Sequence, residues 1–136
     1  MIKYQTAPDI ESLVRDISQK LDLSHDLSRV VCIRSNGSES RRVLARCHTI
    51  SRAIQTGLGI KAHYVIEVVS ENFDRQSNEE QIKTIIHELM HIPKAFGGGF
   101  KGHGYVNRRT VEKLYQTYKH NNNNENSDRK GIFQFR

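Results

Sequence analysis

Residues 78–93 read NEEQIKTIIHELMHIP, and this stretch decides the fold that the sequence predicts. Its apolar residues recur at the three- and four-residue spacing of one helix face: Ile82, Ile85, Ile86 and Leu89. Asn78 is typical of a helix N-cap, the two glutamates after it suit the first turn of a helix, and Pro93 ends the run. We therefore predict a helix that runs to about Ile92 and packs its apolar face in a core.

The pattern H-E-x-x-H occurs in this helix as His87-Glu88-Leu89-Met90-His91. Residues four apart on a helix face the same side, so both imidazoles can reach a single metal ion. Glu88 lies one step round the helix, where its carboxylate can reach a metal-bound water without ligating the metal. The pattern predicts a zinc site with His87 and His91 as ligands and Glu88 as general base.

A catalytic zinc ion usually takes three protein ligands, so a third ligand is expected elsewhere in the chain. His103 follows a bend at Gly97-Gly98-Gly99 that could fold the chain back over the metal. Glu112 follows on the next predicted helix, which is how glutamate-type zinc peptidases complete their site. We favour His103, because a glycine-rich loop that ends in His-Gly has little other reason to occur here, and Glu112 stays the alternative.

Such a site predicts metal-assisted hydrolysis of peptide bonds. Zinc lowers the pKa of its bound water and polarises the scissile carbonyl, while Glu88 takes the water's proton and later passes it to the leaving amine. An oxyanion stabiliser would complete the site, and our candidate is Tyr105, with Tyr115 and Arg108 behind it. A role as a packing aromatic explains Tyr105 at least as well.

The remaining periodicities predict an α+β fold in which a short β-sheet packs against the active-site helix and flanking helices. The H-E-x-x-H motif on that helix makes the expected fold a small zincin-like domain. Further helices are predicted over Asp9–Leu21 and Asn107–Lys119, and strands over Arg29–Arg34 and Ala62–Val69. Residues 43–57 fit a helix or a strand, and we favour a helix. If the second strand lies at a sheet edge beside the cleft, an extended substrate could pair with it.

The length of 136 residues and the mass of 15.7 kDa suit one core. No apolar run approaches the roughly 18 residues of a membrane helix, and the N-terminus carries no apolar signal core, so we expect a cytoplasmic protein. Cys32 and Cys47 are too few for a disulfide framework, and we expect buried, reduced thiols.

The end of the chain differs in composition from the rest. Residues 120–128 contain four consecutive asparagines and almost nothing apolar, which predicts a flexible linker. We therefore expect a metallopeptidase domain over residues 1–120 and a linker with a tail over 121–136. Ile132, Phe133 and Phe135 in that tail are typical of a short docking peptide, although folding back onto the domain is an equal alternative.

The net charge of +6 comes from two segments. Residues 29–52 hold six arginines against one glutamate, and residues 94–119 hold six lysines and arginines against one glutamate, so each sums to 6 − 1 = +5. Such segments could bind nucleic-acid phosphates, while solvated helix faces are the plainer explanation. If the charges line the cleft, they should favour acidic substrates.

The motifs His87-Glu-Leu-Met-His-Ile-Pro93 and Gly97-Gly-Gly-Phe-Lys-Gly-His103-Gly104, with Tyr64-Val-Ile-Glu67 and Glu71-Asn-Phe-Asp74 before them, resemble the "putative metallopeptidase" family of archaea and phages. The resemblance covers roughly residues 28–118. More distantly, the metal ligands are similar to those of SprT-like proteases, some of which act on proteins crosslinked to DNA. The resemblance implies a small zincin with ligands His87, His91 and His103 and Glu88 as base.

Two functions from different classes therefore follow from the sequence. The first is a zinc-dependent metallopeptidase that acts on a protein or peptide substrate. The second is a non-catalytic, zinc-containing binding module associated with nucleic acid. Glu88 favours the enzyme, because a purely structural zinc site has no need of that carboxylate.

Overall fold

The computed structural model describes residues 1–23, 26–93 and 97–134, with side chains described up to residue 126. The strands are β1 (Lys3–Thr6), β2 (Val30–Asn36), β3 (Ala45–Thr49) and β4 (Tyr64–Val69). The helices are α1 (Pro8–Lys20), α2 (Arg52–Leu58), α3 (Ser70–Phe73), α4 (Asn78–Met90) and α5 (Arg108–Gln134). The predicted α+β fold is confirmed.

The four strands form one mixed sheet in the order β1-β2-β4-β3. The central pair, β2 and β4, is parallel and places Cys32 opposite Ile66, whereas β1 and β3 pair antiparallel at the two edges. β3 places Cys47 opposite the same Ile66. β3, which contacts α4, is therefore an edge strand, and no other strand of the described residues pairs with its outer side.

The core lies between the sheet and the helices α1, α4 and α5, which pack against one another. Alternate residues of the central strands point into it, and Cys32, Tyr64, Ile66 and Val68 are fully buried. From the helix side, α4 contributes Ile85, Ile86 and Leu89, all at most 1% exposed. The apolar face predicted for this helix is thus the face that anchors it, which leaves its other face for the site.

The preferred helix over residues 43–57 is wrong, because its first half is the strand β3. Ser51 separates the two halves: its Oγ accepts a hydrogen bond from the Ile54 N–H and caps α2. Residues 45–49 instead pair with β4 over five positions. Pairing with a buried strand overrides the weak local helical pattern. A smaller difference is that Ser77, not Asn78, caps α4 through its bond from the Glu80 N–H.

The condition set for substrate pairing with the strand at 62–69, an edge position in the sheet, is not met. β4 is flanked by β2 and β3, so a substrate cannot pair with it. The short strand β1 had no prediction, because its residues Lys3–Thr6 are exposed and carry no apolar alternation.

The flexible linker predicted from residue 120 differs from the structure, in which α5 continues to Gln134. Contacts with α1 accompany the extension: the Asn121 amide donates to the Lys20 carbonyl over 2.6 Å, and the Lys20 ammonium donates to Asn122 over 2.7 Å. Two of the four asparagines, Asn121 and Asn122, thus have tertiary partners that the composition of the segment does not reveal. The domain boundary at residue 120 stays a prediction, and the side chains of Ile132, Phe133 and Phe135 lie outside the described residues.

Cys32 and Cys47 are both free thiols, the first buried and the second partly buried. Burial raises the pKa of each thiol to about 12, so neither is a ready nucleophile. None of the helices, as far as the structure describes them, has the length and apolarity needed to cross a bilayer.

Candidate metal centre

Three histidine side chains converge beside the last turn of α4: His87, His91 and His103. One ring nitrogen from each lies within 4.8 Å of those of the other two, and the Nε2 atoms of His87 and His91 are 3.1 Å apart. His91 directly follows α4 but keeps helical backbone angles, φ −68° and ψ −20°, and so stays on the same face as His87. The two residues of the motif meet as the helical spacing predicts.

The loop that carries His103 is tied to His91 by two hydrogen bonds. The Lys101 backbone N–H donates to the His91 carbonyl over 2.8 Å, and the His91 Nδ1 lies 2.6 Å from the Lys101 carbonyl oxygen. Since a carbonyl only accepts, Nδ1 must carry the proton, and Nε2 keeps its lone pair for a metal. A backbone carbonyl in this position is the usual orienting partner of a metal-binding histidine.

Tyr64 of β4 holds the start of the same loop. Its hydroxyl donates to the Gly99 carbonyl over 2.8 Å and accepts from the Gly98 N–H over 3.0 Å. Gly98 adopts φ +98°, a conformation that side chains disfavour, which explains a glycine at this bend. The buried tyrosine thereby connects the sheet to the loop that delivers His103.

Glu88 lies beside the three histidines and is only 7% exposed. Burial raises the pKa of its carboxyl group to about 7, and His48 opposes this shift. Burial, together with His91 and His103, lowers the pKa of His87, so that its imidazole is held neutral as a metal ligand requires.

The donor set fits a first-row transition metal. Bonds of 2.0–2.1 Å to a tetrahedral zinc ion place neighbouring nitrogens about 3.4 Å apart, close to the 3.1 Å between His87 and His91. Three imidazoles with one position left open are also a set that catalytic zinc accepts. The described residues offer no other group of three or more metal-binding side chains that meets at one point.

Two depressions meet at this centre. The histidine cleft, of about 420 Å³, lies between β3 and the loop at 100–103 and contains all three histidines. The arginine groove, of about 770 Å³, lies between residues 42–45, α4 and α5, and has Arg42 and Arg108 on its walls. Ala45, His87 and Glu88 line both, so the two depressions adjoin at the centre.

A comparison with protein families matches residues 2–124 to the family described as "Putative phage metallopeptidase". The chain belongs to this family. The match spans more of the chain than the motifs alone, and it confirms the resemblance seen in the sequence. Its name describes a peptidase that depends on a metal. Comparisons with curated proteins and with solved structures gave no match.

Of the two candidates for the third ligand in this family member, His103 lies with the histidines and Glu112 does not. The Glu112 carboxylate instead pairs with the Lys83 ammonium over 2.8 Å and accepts a hydrogen bond from Gln116 over 2.9 Å. Lys83 belongs to α4 and Glu112 to α5, so this ion pair joins the two helices, and both residues line the arginine groove.

Among the candidate oxyanion stabilisers, Tyr105 is half exposed and lies under the Lys101 ammonium, 4.4 Å from its ring centre. It lines neither the histidine cleft nor the arginine groove. Arg108 lines the groove, and Tyr115 packs in the core with the Lys83 ammonium over its ring. A catalytic role for Tyr105 stays a prediction.

Sequence reasoning missed the part of the site that β3 supplies. Ala45 and Cys47 line the histidine cleft opposite the helix, and β3 is the edge strand of the sheet. The alternation in Ala45-Arg-Cys-His-Thr49 was the available signal, since inward and outward residues alternate in polarity. The outward residues Arg46 and His48 both bind the carboxylate of Glu67, which lies on the neighbouring strand β4.

Proposed function

We propose that this protein is a zinc-dependent metallopeptidase, with zinc bound by His87, His91 and His103. The observation that carries the proposal is the convergence of three imidazoles beside the buried carboxylate of Glu88, at the junction of two clefts and next to an edge strand. Structural zinc sites close around their metal with four protein ligands, whereas this one offers three and an approach for substrate.

A bound zinc ion would supply Lewis-acid activation of the attacking water and of the scissile carbonyl. The chain's own residues do the rest. Glu88, one position along the helix from His87, takes the proton of the attacking water and returns it to the leaving amine. The Lys101 carbonyl holds His91 in the tautomer that leaves Nε2 free. Tyr105 stays our candidate for stabilising the oxyanion, should a substrate bring it closer.

An extended peptide has a place to bind along β3. The outer edge of this strand pairs with no other strand of the described residues and can therefore accept an added one, and Ala45 on β3 lines both clefts. A peptide paired with β3 would cross the metal centre between the histidine cleft and the arginine groove. This assigns β3, rather than the central strand β4, to substrate binding.

For the alternative, a nucleic-acid-associated zinc module, several basic side chains among the described residues already have acidic partners. Arg34 pairs with Asp9 and Asp74, both at 2.7 Å, and Arg46 pairs with Glu67 at 2.9 Å. Part of the first basic segment is therefore occupied by acids of the fold. Nucleic-acid binding, docking by the tail and a cytoplasmic location stay predictions.

The test combines metal content with cleavage by Glu88→Gln. We expect about one zinc per chain in both the wild type and the variant, because Glu88 does not ligate the metal. Cleavage of fluorescein-labelled unfolded casein should fall roughly 10²- to 10⁴-fold in the variant, since the proton acceptor is lost. Glu79→Gln is the matched control: this residue is exposed in the first turn of α4, and its substitution should change neither quantity.

The outcomes separate the parts of the proposal. Absence of zinc from the purified wild type after equilibration with zinc would overturn the metal site. Loss of zinc in Glu88→Gln would make Glu88 a ligand rather than a base. Bound zinc without cleavage of any protein in a panel of unfolded substrates would favour the binding module.

A further inference from the structure

The arginine groove has an apolar wall and three basic side chains, of which one has acidic partners and two do not among the described residues. Val43, Leu44, Ala45 and Val111 supply apolar surface, and Val111 is only 7% exposed. The wall formed by residues 42–45 leads directly into β3, where a peptide would pair under the proposed function. A side chain of such a peptide would enter this groove.

The lysine of the groove is already occupied. Lys83 lies 2.8 Å from Glu112, 3.5 Å from Glu79 and 3.9 Å from Glu80, and its side chain is 23% exposed. These acids raise the pKa of the Lys83 ammonium and keep it charged. With three carboxylates around it, Lys83 has little attraction left for a further anion.

The two arginines differ from Lys83 in this respect. Arg42 and Arg108 are exposed, stand on walls formed by different segments, and have no acidic partner among the residues that the structure describes. Their planar guanidinium groups can each bind a carboxylate through two hydrogen bonds. They are therefore the cations of the groove that remain available to a ligand.

We propose that the arginine groove is a substrate subsite that selects an acidic side chain, Asp or Glu, through Arg42 and Arg108. This inference rests on the proposed function and adds the substrate class. The apolar residues of the groove bind the methylene part of the side chain, and the arginines bind its carboxylate. A basic side chain is disfavoured, because it would approach the same two guanidinium groups, while Glu80 and Glu112 on the groove walls are already paired with Lys83.

The test measures peptide binding with the Glu88→Gln protein and peptide cleavage with the wild type. Labelled nonapeptide mixtures are made of Ala, Leu, Ser, Tyr and Val with one fixed central residue, which is Glu, Gln or Lys. Binding to the zinc-loaded, cleavage-deficient Glu88→Gln protein is followed by fluorescence anisotropy. At low salt the Glu mixture should bind roughly fivefold more tightly than the Gln mixture, a ratio that suits partly exposed ion pairs. The Lys mixture should bind most weakly.

Adding Arg42→Gln and Arg108→Gln together should weaken binding of the Glu mixture more than binding of the Gln mixture and so bring the Glu-to-Gln ratio to about one. The matched control is the pair Arg41→Gln and Arg109→Gln, which removes two neighbouring exposed arginines that do not line the groove. The control should keep the fivefold ratio. High salt should reduce the Glu-to-Gln ratio both in the protein that keeps all its arginines and in the Arg41→Gln, Arg109→Gln control.

Equal effects of the two arginine pairs would overturn the subsite, since a general positive field would then explain the preference. A second outcome would assign the groove to nucleic acid instead. In that case the peptide mixtures show no Glu-to-Gln preference, while a labelled dT₁₂ oligonucleotide binds more tightly than the peptides and loses that binding on Arg42→Gln and Arg108→Gln. Failure of the proposed function looks different: the wild type would then cleave no mixture, while the charge-selective binding persisted. Cleavage without any dependence on Arg42 or Arg108 would keep the peptidase and remove the subsite.

Discussion

His103 and Glu112 show how the surroundings of a side chain decide whether it can serve a metal. Both follow the H-E-x-x-H helix, and either could act as a third zinc ligand by residue type. The Glu112 carboxylate is bound by Lys83 and Gln116, which lower its pKa. His103 points at the two other imidazoles, with its ring centre 5.1 Å from that of His91.

Substituting each candidate in turn tests this assignment. His103→Ala should weaken zinc binding by at least roughly 100-fold, because even loss of a partner that only orients a ligand costs up to about that factor. Glu112→Gln should leave zinc affinity unchanged. Competition with a chromophoric chelator measures both. The reverse order of effects would make Glu112 the ligand.

Glu67 is a second buried carboxylate, and it has three partners. Ser35 donates a hydrogen bond to it over 2.6 Å, Arg46 over 2.9 Å, and the His48 ring nitrogen lies at 2.7 Å. Desolvation alone would raise the pKa of Glu67, but these bonds and charges outweigh it and lower the pKa below the usual 4.5. The charged form is thus favoured by folding.

We expect Glu67→Gln to lower the free energy of unfolding by about 1–3 kcal/mol at pH 7, because Arg46 loses its buried ionic partner. The folded-state pKa is depressed, so this stabilisation is present above the unfolded value near 4.5 and is lost as the pH falls through the lower folded value. Urea unfolding at pH 7 and pH 3 measures it. The difference between wild type and variant should shrink at pH 3.

Glu39→Gln is the control for this measurement, because Glu39 is exposed and its loss should change stability by less than about 0.5 kcal/mol. A Glu67→Gln difference that is the same at both pH values would show that the carboxylate charge is not what stabilises the sheet edge.

At the scale of elements, the loop after α4 can place His103 at the metal centre because hydrogen bonds from β4 fix its position. The Tyr64 hydroxyl bonds both Gly98 and Gly99, and this residue is fully buried. The loop has little regular structure of its own, so these bonds and those to His91 position His103.

Tyr64→Phe should therefore weaken zinc binding about tenfold, since loss of supporting contacts misplaces a ligand without removing it. Tyr118→Phe is the matched control: it removes a 2.6 Å hydrogen bond to Asp16, between α5 and α1 and away from the metal centre. The control should lower the melting temperature by a comparable amount but keep zinc affinity. Equal zinc affinities for the two variants would contradict the role of Tyr64.

At the scale of the whole molecule, α5 joins the end of the chain to the first helix. Tyr118, Asn121 and Asn122 all contact Asp16 or Lys20 of α1, and Glu125 lies 3.5 Å from the Lys20 ammonium. These contacts join the last helix to the first, so both ends of the chain belong to one packed helical layer.

Truncation distinguishes a packed helix from a flexible linker. A chain that ends at residue 120 should lose about 1–3 kcal/mol of unfolding free energy with its contacts to Lys20, and its melting temperature should fall by several degrees. A chain that ends at residue 126 should have the same melting temperature as the full-length protein. Equal melting temperatures for all three chains would restore the linker prediction for residues from 121 onward. Thermal unfolding followed by circular dichroism at 222 nm makes the comparison.

The fold was predictable where the pattern is local and strong. The apolar spacing of Ile82, Ile85, Ile86 and Leu89 correctly predicted α4 and its buried face. The apolar runs likewise predicted β2 and β4. Residues 43–57 failed, because five residues of β3 carry too weak an alternation to compete with a helical pattern, and only pairing with β4 decides between them.

The sequence by itself determined the helix that presents His87 and His91, the carboxylate between them and the α+β class, because spacing along a helix converts directly into a shared face. The tertiary structure alone decided that His103 rather than Glu112 joins them, that β3 rather than β4 is the edge, and that Arg42 and Arg108 face one groove. These results depend on contacts between segments far apart in the chain. Such contacts are set by how the elements pack together, which no local pattern contains.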